Sequence, residues 1–215
     1  MSGQAPFPRT DGPPDPPRLT VRWGPAPDGD ERVATHAALV AAAAELTGGP
    51  AHRIRVMHDP EGRPRLTGPA AAVKVSLSHA PGVFAVVLGQ GPAEVGVDIE
   101  PVRPRPAAAL ARRWLDPGAA AWVEGLPGPA RVEAFLALWT RKEAAGKAYG
   151  HGLRQGGLHR PVPLVERWPL PECTEPFLRL TDPPGTTTTV VADAGAVRAV
   201  VSVVSVTPES SVRPS

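Results

Sequence analysis

The sequence predicts an α+β fold, with a helix followed by antiparallel strands in each half of the chain. Three observations predict it. Runs of strand-like alternation follow one another through short Gly/Pro turns, as antiparallel strands do. Helix-period segments stand apart from those runs and precede them in each half. The 215 residues are 42% hydrophobic and 20% charged, enough for one domain or two small ones around a core of useful size. The halves read as similar in element order. No repeat by identity is found, so duplication rests on that order alone.

The elements follow in sequence. Residues 1–30 form a proline-rich arm. Its Pro13-Pro14-Asp15-Pro16-Pro17 excludes a helix or a central strand, because proline has no N–H to donate. A short strand fits 19–23. A first helix fits 31–46 and stops at Gly48-Gly49-Pro50. Residues 53–57 alternate like a half-buried strand, and 59–62 turn. In 73–79, Val73, Val75 and Leu77 share one face, and Lys74, Ser76 and Ser78 share the other. Ala80-Pro81-Gly82 turns the chain into a returning strand at 83–88. Gln90-Gly91-Pro92 turns it again into 95–100. Pro101, Pro104 and Pro106 mark a linker, which divides an N-terminal half (31–101) from a C-terminal half (102–208). Beyond it, helices fit 107–115, 119–124 and 129–149. The last stops at Gly150-His151-Gly152, as glycine C-caps do. A strand fits 177–180. A terminal hairpin fits 187–192 and 196–206, with its turn at Asp193-Ala194-Gly195, and a polar tail spans 209–215.

Composition removes several classes of function. The one cysteine, Cys173, excludes an internal disulfide framework and a zinc cluster of several thiolates, and it fits a reducing compartment. The N-terminus has no basic stretch followed by an apolar run. The alanine-rich stretch 37–46 is far shorter than the roughly 20 residues of a membrane helix. The expectation is a cytoplasmic protein without a membrane partner. A net charge of +2 does not call for nucleic acid, but it allows local basic patches for an anionic ligand or an acidic protein.

Four constellations carry possible chemistry. In Val97-Asp98-Ile99-Glu100 the two acids project together on a strand, and a hard divalent cation would relieve their repulsion. The plainer reading is an exposed acidic edge. In Leu138-Trp139-Thr140-Arg141-Lys142-Glu143-Ala144-Ala145-Gly146-Lys147, Trp139, Glu143 and Lys147 lie roughly along one helix side. Glu143 and Lys147 could be a metal ligand or base and a phosphate-stabilising cation, or simply a helix ion pair. Helical spacing turns Lys142 aside. Ser76-Leu77-Ser78-His79 is no nucleophile–base pair, because strand neighbours point oppositely. A turn histidine beside hydroxyls can hold a phosphate or be structural. Gly62-Arg63-Pro64-Arg65 presents forked donors that suit phosphate.

Taken in order, these motifs resemble the 4′-phosphopantetheinyl transferase family, in its surfactin-synthetase-activating (Sfp-like) type. The order is Gly-Arg-Pro, Ser-x-Ser-His, Gly-x-Asp-x-Glu, then Trp-x-x-Lys-Glu-Ala-x-x-Lys-Ala, over about residues 32–153. The resemblance implies a pseudo-dimeric fold of two similar halves and a monomer. It implies transfer of the 4′-phosphopantetheine of coenzyme A to a serine of an apo acyl or peptidyl carrier protein, as used in fatty acid, polyketide or nonribosomal peptide synthesis. The products would be holo-carrier and adenosine 3′,5′-bisphosphate. It implies Mg²⁺ held by Asp98, Glu100 and Glu143, with Glu143 activating the serine and Lys147 stabilising the departing phosphate. Arg63, Ser78 and His79 would grip the 3′-phosphate and adenosine end of coenzyme A. In the first helix, Arg32 and His36 stand for the basic residues usual there. Arg103, Arg105, Arg112 and Arg113 would form a docking patch for an acidic carrier helix. The alternative is a homologue that binds coenzyme A or a carrier without turnover.

Overall fold

The computed structural model describes residues 18–150, 161–181 and 185–207. The proline run before Arg18, Gly152 and the polar tail 209–215 lie outside the described residues.

The chain begins with β1 (Arg18–Pro25) and α1 (Glu31–Thr47), which ends at Gly48 in the left-handed region, φ 66°. A short hairpin follows, β2 (Val56–His58) and β3 (Pro64–Leu66). Then come β4 (Lys74–Ala80), β5 (Val83–Gln90) and β6 (Glu94–Pro101). The helices α2 (Ala107–Trp114), α3 (Pro117–Gly125) and α4 (Gly128–Tyr149) are next. The last strands are β7 (Glu172–Cys173), β8 (Phe177–Leu180), β9 (Thr187–Ala194) and β10 (Val197–Val206).

These strands form two four-stranded sheets, β4-β5-β1-β8 and β6-β10-β9-β7. All pairings are antiparallel except β7 with β9. The sheets pack face to face through Val21, Trp23, Val87, Val97, Ile99, Val201 and Val203. The outer face of the first sheet carries α1, with Leu39, Ala42 and Ala43 against Val86 and Leu88. Val191 and Val200 on the outer face of the second sheet join the helical cluster of Phe135, Leu136 and Leu138. The result is an α+β sandwich of helix, sheet, sheet and helix. Both faces of β5 and β10 are covered, which is why these strands read as near-continuous apolar runs.

Sheet membership crosses the linker at 101–106. β6 pairs with β10 in the second sheet, and β8 pairs with β1 in the first. β1, inside the expected arm, is an interior strand because Arg18–Pro25 bonds β5 on one side and β8 on the other.

Two local expectations change. A strand over 53–57 is replaced by a 3-10 turn (Ala51–Arg53) and the shorter β2, since Pro50 opens the turn and Arg53 N–H bonds Pro50 O at 3.0 Å. On β4, Ser78, expected to hold a phosphate, is instead buried with Ser76 on the face turned to β6. Val75 and Leu77 meet the α1 layer, while Ser76 and Ser78 are 4% and 7% exposed and turn to β6. Among the described residues no helix is long and apolar enough to cross a membrane.

Candidate active site

The site starts from a glycine. On β6, Val95, Val97 and Ile99 enter the core between the sheets, so Gly96, Asp98 and Glu100 alternate to the opposite face. α4 lies directly on Gly96. A Cβ there would stand 1.9 Å from Ala144 O and 2.7 Å from Ala148 N. The missing side chain lets the helix settle low enough for Lys147 to reach the strand. Lys147 Nζ donates to Asp98 Oδ1 at 2.8 Å and to Val97 O at 3.0 Å.

β4 completes the surroundings of Asp98. Ser78 Oγ donates to Asp98 Oδ1 at 2.7 Å, and Ser76 Oγ accepts from Val97 N–H at 3.2 Å. The backbone of β6 at Val97, which faces no strand on this side, is thus satisfied by side chains. Asp98 Oδ1 has two donors, whereas its Oδ2 is buried with no hydrogen-bond partner. An orphaned carboxylate oxygen is costly unless something positive meets it.

Glu100 and Glu143 share the same field. Burial pushes the Glu143 carboxyl up to about 7, the negative charges of Asp98 and Glu100 add to this, and Lys147 and Lys142 oppose it. Glu100 is also raised, first by burial and then by Asp98, against Arg105 and Lys147. Arg105 Nη1 stands 3.4 Å from Glu100 Oε2. By chemistry the set, two carboxyl groups raised by burial and by Asp98 and one Asp98 oxygen left without a partner, is that of a hard cation with oxygen ligands, but the side chains as they stand are not gathered around one point. Among the described residues no group of three or more His, Cys, Asp or Glu is drawn together closely enough to hold a metal ion. Lys147 is on Asp98 and Arg105 is on Glu100.

A cavity of ≈ 250 Å³ opens beside Lys147. Arg63, Arg65, Lys74 and His58 line it with Lys147, against the acids Glu61 and Glu94. Basic groups predominate, so it suits an anionic ligand. Arg63 is at this cavity. Ser78 is not among its lining residues, and its hydroxyl is committed to Asp98. His79 is exposed at the end of β4, where its charge reaches His36 and Glu31. The ring of His36 lies 6.0 Å from that of His58. Burial lowers the His36 pKa, helped by Arg32, His58 and His79. Arg32, His36, His58 and His79 are therefore within electrostatic reach of one another near α1, with His36 pushed toward its neutral form.

The expected docking arginines are each engaged. Arg103 Nη2 donates to Pro81 O at 2.9 Å, and Arg105 Nη2 donates to Pro101 O at 2.8 Å. Arg112 pairs with Glu124, and Arg113 lies over the Trp114 ring at 4.8 Å. Lys142 is turned away from the acids, with Nζ donating to Trp114 O at 2.6 Å. Trp139 packs on Phe135 and Trp114. Sequence reasoning placed Ser76 in the Ser-x-Ser-His run without a role of its own and missed Lys74. The signal available for Ser76 was its place on the same strand face as Ser78. Lys74 Nζ bonds Glu94 at 2.5 Å, and nothing in the linear sequence links those two residues.

Comparison with known proteins bears on the second part of this site. Residues 94–187 match a family model described as the 4′-phosphopantetheinyl transferase superfamily. That segment holds Asp98, Glu100, Glu143 and Lys147, but not Arg32, His36, Arg63, Ser78 or His79. The chain is also 31% identical, over 113 residues, to a Synechocystis protein named "Putative 4′-phosphopantetheinyl transferase". The similarity covers 52% of this chain and 45% of that protein, so the chain spans less than half of its relative's length.

Proposed function

We propose that this protein is a 4′-phosphopantetheinyl transferase of the Sfp-like type, working as a cytoplasmic monomer. It would move the phosphopantetheine arm of coenzyme A to a serine of an apo carrier protein. One observation carries the reading. Lys147 borders the basic cavity and also bonds Asp98, whose second oxygen is buried and unpartnered. An anion-binding space and a carboxylate group thus meet at one ammonium.

The reaction needs a diphosphate held still and a hydroxyl made nucleophilic. Arg63, Arg65 and Lys74 present positive charge to coenzyme A in the cavity. Arg32, His36 and His79 would meet its 3′-phosphate, whose charge would favour the proton that burial and the neighbouring cations make His36 give up early. Asp98, Glu100 and Glu143 would hold Mg²⁺, which when bound supplies charge neutralisation of the diphosphate. Glu143 takes the proton of the carrier serine, as a carboxylate kept charged by the nearby cations. The serine oxygen forms a bond to the β-phosphorus, and the bond from that phosphorus to the bridging oxygen breaks. The electron pair leaves with adenosine 3′,5′-bisphosphate. Lys147 donates to that departing phosphate, and Ser78 keeps Asp98 oriented.

The test is mass spectrometry of an apo carrier protein incubated with the purified chain, coenzyme A and Mg²⁺. Gain of one phosphopantetheine group on the carrier is the expected result. Binding of coenzyme A with no mass gain would favour the non-catalytic alternative.

A further inference from the structure

The C-terminal end of α4 is held by a residue 85 positions earlier in the chain. Arg63 follows the turn of the β2–β3 hairpin. Gly62 there has φ 85°, and Asp59 Oδ1 accepts from Arg63 N–H at 2.7 Å. With its backbone fixed, the Arg63 side chain crosses to the helix. Nη2 donates to Ala148 O at 3.0 Å, one of the terminal carbonyls that a helix leaves unsatisfied. Nη1 stands 3.7 Å from Glu94 Oε2, at the start of β6, and Glu94 also holds Lys74 of β4. The guanidinium lies where the side chain of residue 150 would be. A Cβ on Gly150 would stand 2.0 Å from Nη2 and 2.2 Å from Cζ. Gly150 also has φ 80°, as a left-handed helix cap requires.

Gly150 is therefore needed twice, for its backbone and for the room it leaves. The residue beside Ala148 is Lys147, whose ammonium sits on Asp98. A cation at a helix C-terminus also opposes the negative end of the helix dipole. We propose that Arg63 is a positioning residue, whose guanidinium latches the last turn of α4 to the hairpin wall of the cavity and so keeps Lys147 on Asp98. The latch follows from the contacts alone, and its kinetic consequence rests on the transferase reading above.

The test uses Arg63→Lys, which keeps the charge facing the cavity and loses the fork. Hydrogen exchange of the amides at 147–150 should quicken about tenfold while the rest of α4 is unchanged. In the carrier assay kcat should fall about tenfold, a larger change than any in KM for coenzyme A, because the lysine keeps the charge that Arg63 presents to the cavity. Gly150→Ala should slow turnover less in the Arg63→Lys background than in wild type, because the latch is already lost there. Backbone strain at residue 150 is common to both backgrounds and cancels in the comparison. Unchanged exchange at 147–150 would overturn the latch. So would a rise in KM with kcat intact, which would make Arg63 an anion contact only. If wild type transfers nothing to a carrier yet exchange quickens in the variant, the latch stands and the transferase reading falls.

Discussion

α1 and α4 each lie on the outer face of a four-stranded sheet, yet where α1 packs through an apolar cluster, α4 combines an apolar seat on β10 with a polar seat on β6. Under α1 the sheet presents Val75, Leu77, Val86 and Leu88, and the helix answers with Leu39, Ala42 and Ala43. Under α4, β6 presents Gly96, Asp98 and Glu100, and the helix answers with Ala144, Glu143 and Lys147. One interface is apolar and holds the sandwich together. The other also brings carboxyl groups into a desolvated space, where burial and the charge of Asp98 raise Glu100 and Glu143. The lesson is that one layer arrangement can serve as scaffold or as site. What decides is the outward-facing set of a single strand.

The widest separation between the two interfaces should come from one substitution in each. Asp98→Asn keeps the shape of the α4 interface and removes its central charge. Transfer should fall by about 10²–10⁴-fold with circular dichroism unchanged. Leu39→Ala should do the reverse. It should cost about 2–5 kcal/mol in urea unfolding while leaving kcat per folded molecule within about twofold of wild type. If Leu39→Ala lost turnover as Asp98→Asn does, the division into scaffold and site would be wrong.

Gly96 sharpens the same division within α4. Gly96→Ala places a methyl group 1.9 Å from a helix carbonyl, so α4 must lift from β6. The expected cost is about 3 kcal/mol or more, with loss of turnover in the molecules that remain folded. Gly125→Ala, where nothing lies within 4 Å, is the control and should stay within about 0.5 kcal/mol. Equal effects at the two positions would remove close packing as the reason for glycine at 96.

The pH dependence should also differ between the interfaces. Glu143 has its carboxyl pushed up to about 7 in the fold, against an ordinary value of 4.5. The native state therefore keeps a proton that the unfolded chain gives up first. This contribution is fully present below the ordinary value and is lost as pH rises to about 7. The loss, screened by solvent at this part-exposed carboxyl, is about 1–2 kcal/mol in the absence of divalent cations. Glu143→Gln should therefore raise Tm at pH 8 by several degrees and leave it nearly unchanged at pH 4, read by scanning calorimetry in chelator. A Tm gain of equal size at both pH values would show that the carboxyl is not raised.

Much of this contrast was legible in the sequence. Alternation in Val95 to Glu100 shows which residues face together, and helical spacing aligns Glu143 with Lys147 and turns Lys142 aside. The terminal hairpin and the three later helices fall within a residue or two of the expected bounds. What stayed hidden depends on which strand meets which. Ser78 reads as a phosphate contact until β4 is seen beside β6, where its hydroxyl bonds Asp98. Arg105 reads as a docking cation until the linker folds it back on Glu100. Arg63 reads as a free anion contact until Ala148 is found against it. Each of these pairings is set by tertiary packing, and local periodicity carries no information about it.

The smallest effect expected belongs to an ion pair that bridges α1 and the first sheet. Arg22 of β1 pairs with Glu45 of α1, at side-chain exposures of 32% and 62%. The Arg22 side chain holds the Glu45 carboxyl below its ordinary range, by hydrogen bonding and by charge. Its contribution is present above the ordinary carboxylate range and is lost as pH falls through the lowered value. Water and salt screen such a pair, and holding two long side chains in place offsets most of the attraction. A cycle of Arg22→Ala and Glu45→Ala should shift Tm by about 2 °C or less, vanish at about 1 M salt, and leave kcat unchanged. Across the sandwich, Lys147 and Asp98 make an ion pair of ordinary length at exposures of 28% and 8%. The same cycle there should couple more strongly, keep most of its coupling in salt, and change turnover. If the two pairs respond alike, burial is not what separates the polar interface from the apolar one.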